Sequence, residues 1–327
     1  MLMKALQLVQ PKSFVSIQVP VPQMNSGKPD QILIRTAWVS MCGSDIPFFT
    51  GSQRIKHYPL APGAPIHECV GQVVESRSTQ FKPGDWVIAI PENNQALAEY
   101  FIAQAVKAVR LPAELANSDT SCLIQPLSTV MNAVDRLGDI HGRSVTVVGL
   151  GSTGLFFCWL LHKRGAGSIV GIDPCAYRCM MAERVGAGRT FSMRSTQMID
   201  FARQHPNQWE PSEIVIEAVG HQMETINDCL KLVEKRGTVV AFGVPDQPVY
   251  TINYETFFRK NAQLIASVTP EWSEYLSQAA NLFLVNRAEL STWVTHRFPM
   301  RDAGEAFTLY ERHAQEIVKA VLDASYW

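Results

Sequence analysis

The first third of the chain consists of short apolar or alternating runs that are separated by turn residues. These runs lie at 3–9, 14–19, 31–39, 68–76, 86–90 and 99–109. Prolines and glycines, such as Pro20, Pro59 and Gly84, stand between them. Because short runs of this kind form strands joined by turns, the pattern predicts a compact, mostly antiparallel β domain.

The pattern changes near residue 125, where strand-like runs begin to alternate with segments of helical spacing. The predicted strands are 144–149, 168–173, 213–218, 237–243 and 262–268, and the predicted helices are 127–137, 152–165, 176–186 and 222–234. This alternation predicts a parallel sheet with helices on both faces. The last segments, at 272–286, 293–298, 302–312 and 316–321, lack the rhythm and are expected to return to the first domain. The expected domains are therefore 1–126 with 269–327, and 127–268.

Composition is typical of a folded protein of about two domains. Of its 327 residues, 46% are hydrophobic and 18% are charged, and a domain usually has about 150 residues. The net charge of -1 argues against nucleic acid or an anionic membrane as the main partner. The longest low-charge run, 145–161, is too short and too rich in glycine to span a membrane.

Cysteine usage indicates a reducing compartment. The seven cysteines are scattered and include no CxxC pair, which is typical of a cytoplasmic protein. The N-terminal segment also lacks the apolar stretch and cleavage site of a signal peptide. The expected location is therefore the cytoplasm.

The clearest local motif is a G-x-G-x-x-G sequence, Gly149 to Gly154, between a predicted strand and a predicted helix. In this context the glycines permit a tight turn, the approach of a pyrophosphate and close helix–strand packing. The next strand ends in Asp173, where a carboxylate binds the adenosine ribose and repels a 2′-phosphate. We expect NAD to be preferred over NADP. The alternative is a glycine loop for another ligand, with Asp173 capping a helix.

A second group of residues has the chemistry of a metal site. Cys42 is followed, 25 residues later, by His67 and Glu68. Thiolate and neutral imidazole are good zinc ligands, and a catalytic zinc uses three protein ligands and leaves one position open. Taken singly, each residue also has an ordinary interpretation as a buried thiol, a core histidine or a surface charge.

Several longer motifs resemble one family. They are "DQILIRTAWVSMCGSDI", "HECVGQVVE", "FKPGDWVIAI", "QPLSTVMNAV", "VVGLGSTGL", "GTVVAFGV" and "FFRKNAQLIAS". Together they resemble the zinc-dependent medium-chain dehydrogenase/reductases, in particular the sorbitol dehydrogenase-like polyol dehydrogenases. The resemblance covers nearly the whole chain. It implies an α/β fold with a GroES-like, mostly β catalytic domain and a Rossmann domain with a doubly wound parallel sheet.

The resemblance also implies roles for individual residues. The implied metal residues are Cys42, His67, Glu68 and Gln125, and the implied catalytic residues are Ser44, Asp45 and Glu68. The implied cofactor-binding residues are Gly149, Gly151, Ser152, Thr153, Gly154, Asp173, Arg178, Val219, Val244 and Ser267. Ser44 fits a hydroxyl that takes the alcohol proton, and Asp45 fits a carboxylate that orients His67.

Two of this chain's departures from the family concern its metal content. Relatives have Cys or Glu where it has Gln125, a neutral and weaker donor that binds zinc, holds water near it or packs the start of a helix. Many relatives also have a lobe with four cysteines for a structural zinc, whereas no cysteine lies between Cys69 and Cys122 here. We therefore expect one catalytic zinc per chain and no structural zinc.

The implied reaction is reversible hydride transfer between NAD and a secondary alcohol of a polyol, sugar or cyclitol-like compound. The implied class is an NAD(P)-dependent alcohol or polyol dehydrogenase that acts on a small alcohol or ketone and forms a homodimer or homotetramer. Two alternatives stay open. One is a zinc-free reductase of quinones or activated double bonds, and the other is a non-catalytic NAD-binding protein.

Overall fold

The computed structural model describes residues 1–52, 55, 57–313 and 316–327. It divides into two compact units, Met1–Ser128 with Glu271–Trp327, and Thr129–Pro270. The strands of the described residues are β1 (Leu2–Gln10), β2 (Ser13–Pro20), β3 (Gln31–Ser40), β4 (Glu68–Ser76), β5 (Trp86–Pro91), β6 (Tyr100–Arg110), β7 (Ser144–Val148), β8 (Ser168–Ile172), β9 (Arg189–Phe191), β10 (Ser212–Glu217), β11 (Val233–Ala241), β12 (Gln263–Ala266), β13 (Val294–Pro299) and β14 (Lys319–Asp323). The helices are α1 (Ile46–Thr50), α2 (Ile124–Asp135), α3 (Ser152–Lys163), α4 (Ala176–Arg184), α5 (Ser195–Gln204), α6 (Met223–Leu232), α7 (Tyr254–Lys260), α8 (Trp272–Val285), α9 (Arg287–Leu290) and α10 (Ala303–Glu311).

The first unit is built on a mostly antiparallel sheet in the order β13-β14-β3-β4-β5-β6. Strand β6 also pairs with β3, so that β3, β4, β5 and β6 close into a barrel. Closure leaves these strands without a free edge. Apolar side chains, including Phe49 and Phe307, fill the interior. The partly buried Phe14 ring stacks on Phe49, and the Phe307 ring packs against both at a tilt.

The second unit contains a six-stranded parallel sheet in the order β12-β11-β10-β7-β8-β9. In its central strand β7 the four residues after Ser144 are all β-branched and buried, as expected for a strand with helices on both faces. All six strands run in the same direction, so their carboxyl ends meet at one edge. Ligands of such sheets bind at that edge, where the strand order reverses.

The predicted fold class is confirmed: a mostly antiparallel β unit accompanies a parallel α/β unit. The sequence pattern does not predict β9, α5 and α7. Strand β9 has only three residues, α5 buries only Ser195 and Met198, and α7 buries none of its residues. Elements with so little apolar periodicity give no clear signal. The helix expected at 222–234 ends at Leu232, because β11 begins at Val233.

Candidate metal centre and dinucleotide site

Cys42 is held by a tight turn that follows β3. The chain leaves β3 at Ser40 and forms a short 3-10 turn over Gly43–Asp45. The Asp45 side chain folds back and accepts a hydrogen bond from the Cys42 backbone N–H at 2.8 Å, while the Asp45 N–H donates to the Cys42 carbonyl at 3.0 Å. Both bonds fix the cysteine relative to Asp45. Ser44, half-buried, lies within this turn.

His67 lies directly before β4 and is oriented by the same aspartate. His67 Nδ1 is 3.0 Å from Asp45 Oδ1, and Asp45 is buried. Engaging Nδ1 in this way directs the other ring nitrogen, Nε2, to a metal. Burial by itself lowers the pKa of His67, but the charge and hydrogen bond of Asp45, with a smaller effect of Cys42, raise that pKa well above its usual value. A histidine binds a metal as the neutral imidazole, so metal affinity at this site should depend on pH.

The ligand atoms of Cys42, His67 and Glu68 lie within 4.8 Å of one another. In the described ranges no other three His, Cys, Asp or Glu side chains form such a group. Bond lengths near 2.1–2.3 Å put the ligands of a tetrahedral zinc roughly 3.5 Å apart. The group needs a contraction of at most about an ångström to hold the ion. The Cys42 thiolate, the His67 imidazole and a Glu68 carboxylate oxygen form a donor set that suits zinc, so these residues fit the metal.

Glu68 has two other partners that the sequence analysis did not identify. Its carboxylate accepts hydrogen bonds from Ser40 Oγ and from Lys319 Nζ, which lies 2.8 Å from Oε1 and 2.5 Å from Oε2. Glu68, Ser40 and Lys319 are all fully buried. Burial alone would lower the pKa of Lys319, but the charge of Glu68 raises it above the usual lysine value. An available signal was the single lysine in the apolar run around Val318 and Val321.

Gln125 is the second residue of α2 and is 5% exposed. Its side-chain amide makes no hydrogen bond to another residue in the described part of the chain, whereas its backbone carbonyl accepts a bond from Ser128 Oγ at 2.6 Å. The segment before it packs near Glu68, since the charge of Glu68 helps to raise the pKa of the buried Cys122 thiol, after burial itself. An amide that has no partner among the described residues and is slightly exposed fits a residue that faces a ligand or solvent.

The glycine motif forms a tight turn between β7 and α3. Gly149 has φ +92°, and a Cβ on Gly154 would lie 1.9 Å from the Gly149 carbonyl oxygen. Gly151 differs from both, because its φ of -64° suits any residue and a Cβ there would meet nothing within 4 Å. A glycine with no internal steric need leaves space for a ligand backbone or phosphate. Ser152 and Thr153 open helix α3, whose free N–H groups favour an anion.

Asp173 follows β8 and contacts the glycine turn directly. Its Oδ2 accepts a hydrogen bond from the Leu150 N–H and its Oδ1 accepts one from the Cys175 N–H, both at 2.8 Å. The buried Arg178 has Nη1 3.9 Å from Asp173 Oδ2. The carboxylate is thus oriented by the two backbone groups, with a guanidinium beside it.

The other three predicted cofactor residues lie at the carboxyl ends of neighbouring strands. Val219 follows β10, and its N–H donates to Glu217 Oε1 at 3.0 Å. Val244 follows β11, and its carbonyl accepts from the His221 N–H at 3.0 Å. Ser267 follows β12 and is buried, and its hydroxyl accepts from Asn132 Nδ2 at 3.0 Å. They lie on the opposite side of β7 from Asp173.

Comparison with known proteins identifies the family. A model described as alcohol dehydrogenase GroES-like domain matches residues 28–113, and one described as zinc-binding dehydrogenase matches residues 152–284. The chain therefore belongs to the zinc-binding medium-chain alcohol dehydrogenase superfamily. This superfamily has dinucleotide-binding dehydrogenases as members.

The individual relatives are distant but span nearly the whole chain. An uncharacterized zinc-type alcohol dehydrogenase-like protein, YdjJ of Escherichia coli K12, is 26% identical and covers 98% of both chains. L-Threonine 3-dehydrogenase of Bacillus licheniformis is 24% identical, and the match covers 90% of this chain and 91% of the relative. Sorbitol dehydrogenase 1 of Saccharomyces cerevisiae is also 24% identical, and the match covers 93% of each chain. The alcohol dehydrogenase TADH from Thermus sp. ATN1 shares the fold, with a TM-score of 0.83 at 24% identity over 98% of this chain and 100% of its own. Among the helices of the described residues, none is long and apolar enough to cross a bilayer.

Proposed function

We propose that the protein is a zinc-dependent dehydrogenase that transfers a hydride between NAD and a secondary alcohol. The observation that carries the proposal is the grouping of Cys42, His67 and Glu68 within 4.8 Å. Zinc, when bound, supplies Lewis-acid chemistry that lowers the pKa of an alcohol hydroxyl. Cys42 and His67 hold the metal, and Asp45 keeps the His67 ring in the orientation that presents Nε2.

The proton of the alcohol needs an acceptor in the protein. We assign this step to the Ser44 hydroxyl, which lies between Cys42 and Asp45 in the same turn. A hydroxyl both accepts and donates a hydrogen bond and therefore passes a proton on to solvent. Glu68 supplies the oxygen donor of the group, and Lys319 and Ser40 hold its carboxylate in place.

The substrate class that we propose is a polyol, sugar or cyclitol-like compound with a secondary alcohol. The relatives support the secondary alcohol, since both sorbitol and threonine carry one. The sorbitol dehydrogenase supports the polyol, whereas the threonine dehydrogenase favours an amino-alcohol as the second candidate. Both classes therefore belong in a substrate screen.

The experiment combines metal analysis with turnover. Purified protein should hold about one zinc per chain and reduce NAD in the presence of a secondary alcohol, and Cys42→Ala should lose both properties. A matched control is Cys158→Ala, which removes a buried thiol of the second unit. Zinc-free protein that reduces quinones would support the reductase alternative. NADH binding without turnover of any alcohol would support the non-catalytic alternative.

We propose NAD as the preferred cofactor because Asp173 presents a carboxylate at the end of β8. The fixed charge repels a 2′-phosphate, although Arg178 beside it offsets part of the repulsion. Dissociation constants should be lower for NAD⁺ than for NADP⁺, and Asp173→Ser should narrow the difference. Equal constants for the parent protein would refute the preference.

We also propose a homo-oligomer in which the second unit contacts its copy along β12. This strand is an edge of the parallel sheet. Exposed apolar side chains lie on it and on the segments that precede and follow it: Leu264, Val268, Tyr254 and Phe258. Unpaired edges with apolar neighbours favour strand pairing between chains. Light scattering should show a dimer or tetramer that Leu264→Lys dissociates, whereas Val285→Lys, at an exposed apolar position on α8, should not.

A further inference from the structure

Glu217, the last residue of β10, is a buried acid that the proposed reaction has not used. It is 4% exposed. Its Oε1 accepts three hydrogen bonds, from Val219 N–H at 3.0 Å, Gly220 N–H at 2.9 Å and Thr225 Oγ1 at 2.9 Å. Three donors thus converge on one carboxylate oxygen, and these charge-assisted hydrogen bonds tie Glu217 to the turn that follows the strand.

This turn packs closely against the segment that follows β11. Gly220 has φ +63°, and a Cβ there would lie 2.7 Å from both the N and O atoms of Val244. The His221 N–H donates to the Val244 carbonyl, and the Gly243 N–H donates to the Glu217 carbonyl at 2.9 Å. Glu217 therefore fixes, from beneath, a surface that two loops form together.

The strand order assigns this surface to one half of a dinucleotide. The glycine turn after β7 receives the pyrophosphate, and Asp173 on the β8 side receives the adenosine ribose. The nicotinamide half must then extend the other way, over the ends of β10 and β11. Gly149 supports this direction, because a Cβ on it would lie 2.8 Å from Val219 Cγ2. The two turns are therefore adjacent.

We propose that Glu217 positions the nicotinamide-binding turn and that its negative charge favours the positively charged ring of NAD⁺ over the neutral ring of NADH. The inference rests on the proposed function, since it requires a dinucleotide at this edge. Unit charges about 10 Å apart, at an effective dielectric constant of about 20, change an affinity roughly tenfold. The charge of Glu217 therefore changes the affinities for the oxidised and the reduced cofactor by different factors. Its hydrogen bonds to the turn would change both affinities by the same factor.

The test measures dissociation constants of NAD⁺ and NADH for the full chain by calorimetry and fluorescence. Glu217→Gln keeps the shape and an acceptor oxygen, and it should raise the ratio of the NAD⁺ constant to the NADH constant roughly tenfold. Thr225→Val removes one hydrogen bond without changing charge, so it should weaken both cofactors by the same factor. Glu213→Gln makes the same change near the other end of β10 and should leave the ratio unchanged.

Glu217→Asp gives a second measurement if the Gln variant does not fold. It keeps the charge on a shorter side chain, so both constants should rise while their ratio stays within about twofold of the parent. An unchanged ratio of the NAD⁺ and NADH constants in Glu217→Gln, or a tenfold shift of that ratio in Glu217→Asp, would overturn this inference but not the proposed function. A parent protein that binds neither dinucleotide would overturn the proposed function as well.

Discussion

Lys319 and Glu68 form a fully buried ion pair that crosses over strand β3. The strand order is β14-β3-β4, and Ser40 of β3 is in register with both Glu68 and Val321. The pair therefore spans one strand, and the Ser40 hydroxyl completes it. Because Glu68 follows His67 directly, this cation balances the charge of the carboxylate in the proposed metal group.

Removal of the cation should be strongly destabilising. In Lys319→Met the Glu68 charge stays buried without its partner, and we expect a loss of about 3–5 kcal/mol in the free energy of unfolding. The double variant Lys319→Met/Glu68→Gln should recover much of that loss, since no buried charge is left. Urea denaturation at pH 7 measures both.

An exposed ion pair of the same unit provides the control. Lys12 pairs with Glu311 at 2.8 Å, with 48% of the lysine side chain exposed. Lys12→Met should cost less than about 1 kcal/mol. Equal losses in Lys12→Met and Lys319→Met would show that the buried pair is not essential for the fold.

Glu92 should make stability depend on pH on the acid side. Burial raises its pKa, but hydrogen bonds from Gln104 and Gln31 and the nearby Lys28 lower it below the usual value. A carboxylate with a lowered folded-state pKa stabilises the protein above its unfolded pKa of about 4.3, and this contribution is lost as the pH falls through the folded value.

Replacement of Glu92 tests that linkage. Glu92→Gln should be about 1 kcal/mol less stable than the parent at pH 7, and the difference should shrink as the pH falls below about 4. Urea midpoints over this pH range measure it, with the exposed Glu210→Gln as the control. A difference that is constant with pH would show that the Glu92 charge is not involved.

Two substitutions in the glycine turn should separate an effect on NAD⁺ binding from an effect on stability. Gly151→Ala places a Cβ in open space at an ordinary φ, so the melting temperature should hardly change while the NAD⁺ dissociation constant rises at least about tenfold. Gly154→Ala drives a Cβ into the Gly149 carbonyl and should lower stability by about 3 kcal/mol or more. Thermal unfolding and calorimetric titration measure the two effects. Unchanged NAD⁺ affinity in Gly151→Ala would argue against a pyrophosphate at this turn.

The fold could be predicted because its elements carry strong periodic signals. The run of β7 is β-branched from Val145 to Val148, and the six early strands are separated by Pro and Gly. Each of these elements is therefore predictable from its own sequence. Helix α7 is not predictable in this way, because none of its side chains is buried and its sequence therefore carries no apolar periodicity. Local periodicity reports only burial that recurs along one face.

The candidate site could be predicted less fully, because it depends on residues far apart in the sequence. Cys42 and His67 are suggested by their chemistry and by the family motifs. Lys319 is 251 positions from Glu68, and nothing near either residue indicates that they pair. Such a contact follows from the strand order, since β3 separates β14 from β4. The neutral Gln125 could be named, but its role depends on what its amide faces.

Gln125 should determine how tightly zinc is held. Gln125→Glu replaces a neutral oxygen with an anionic one, which is the stronger zinc donor. Zinc should therefore transfer to a chelator more slowly from this variant than from the parent protein. The added charge also makes the metal a weaker Lewis acid, and the pH optimum of alcohol oxidation should therefore rise. Gln125→Ala removes the donor and should release zinc faster.

Stability alone does not report this role. Gln125 lies in the first turn of α2, where an acid also gains a few tenths of a kcal/mol from the helix dipole. Chelator kinetics and the pH profile are therefore the informative measurements, with the exposed Gln278→Glu of α8 as the control. If both Gln125 variants release zinc at the parental rate, Gln125 serves only to pack the start of its helix and has no part in holding the metal.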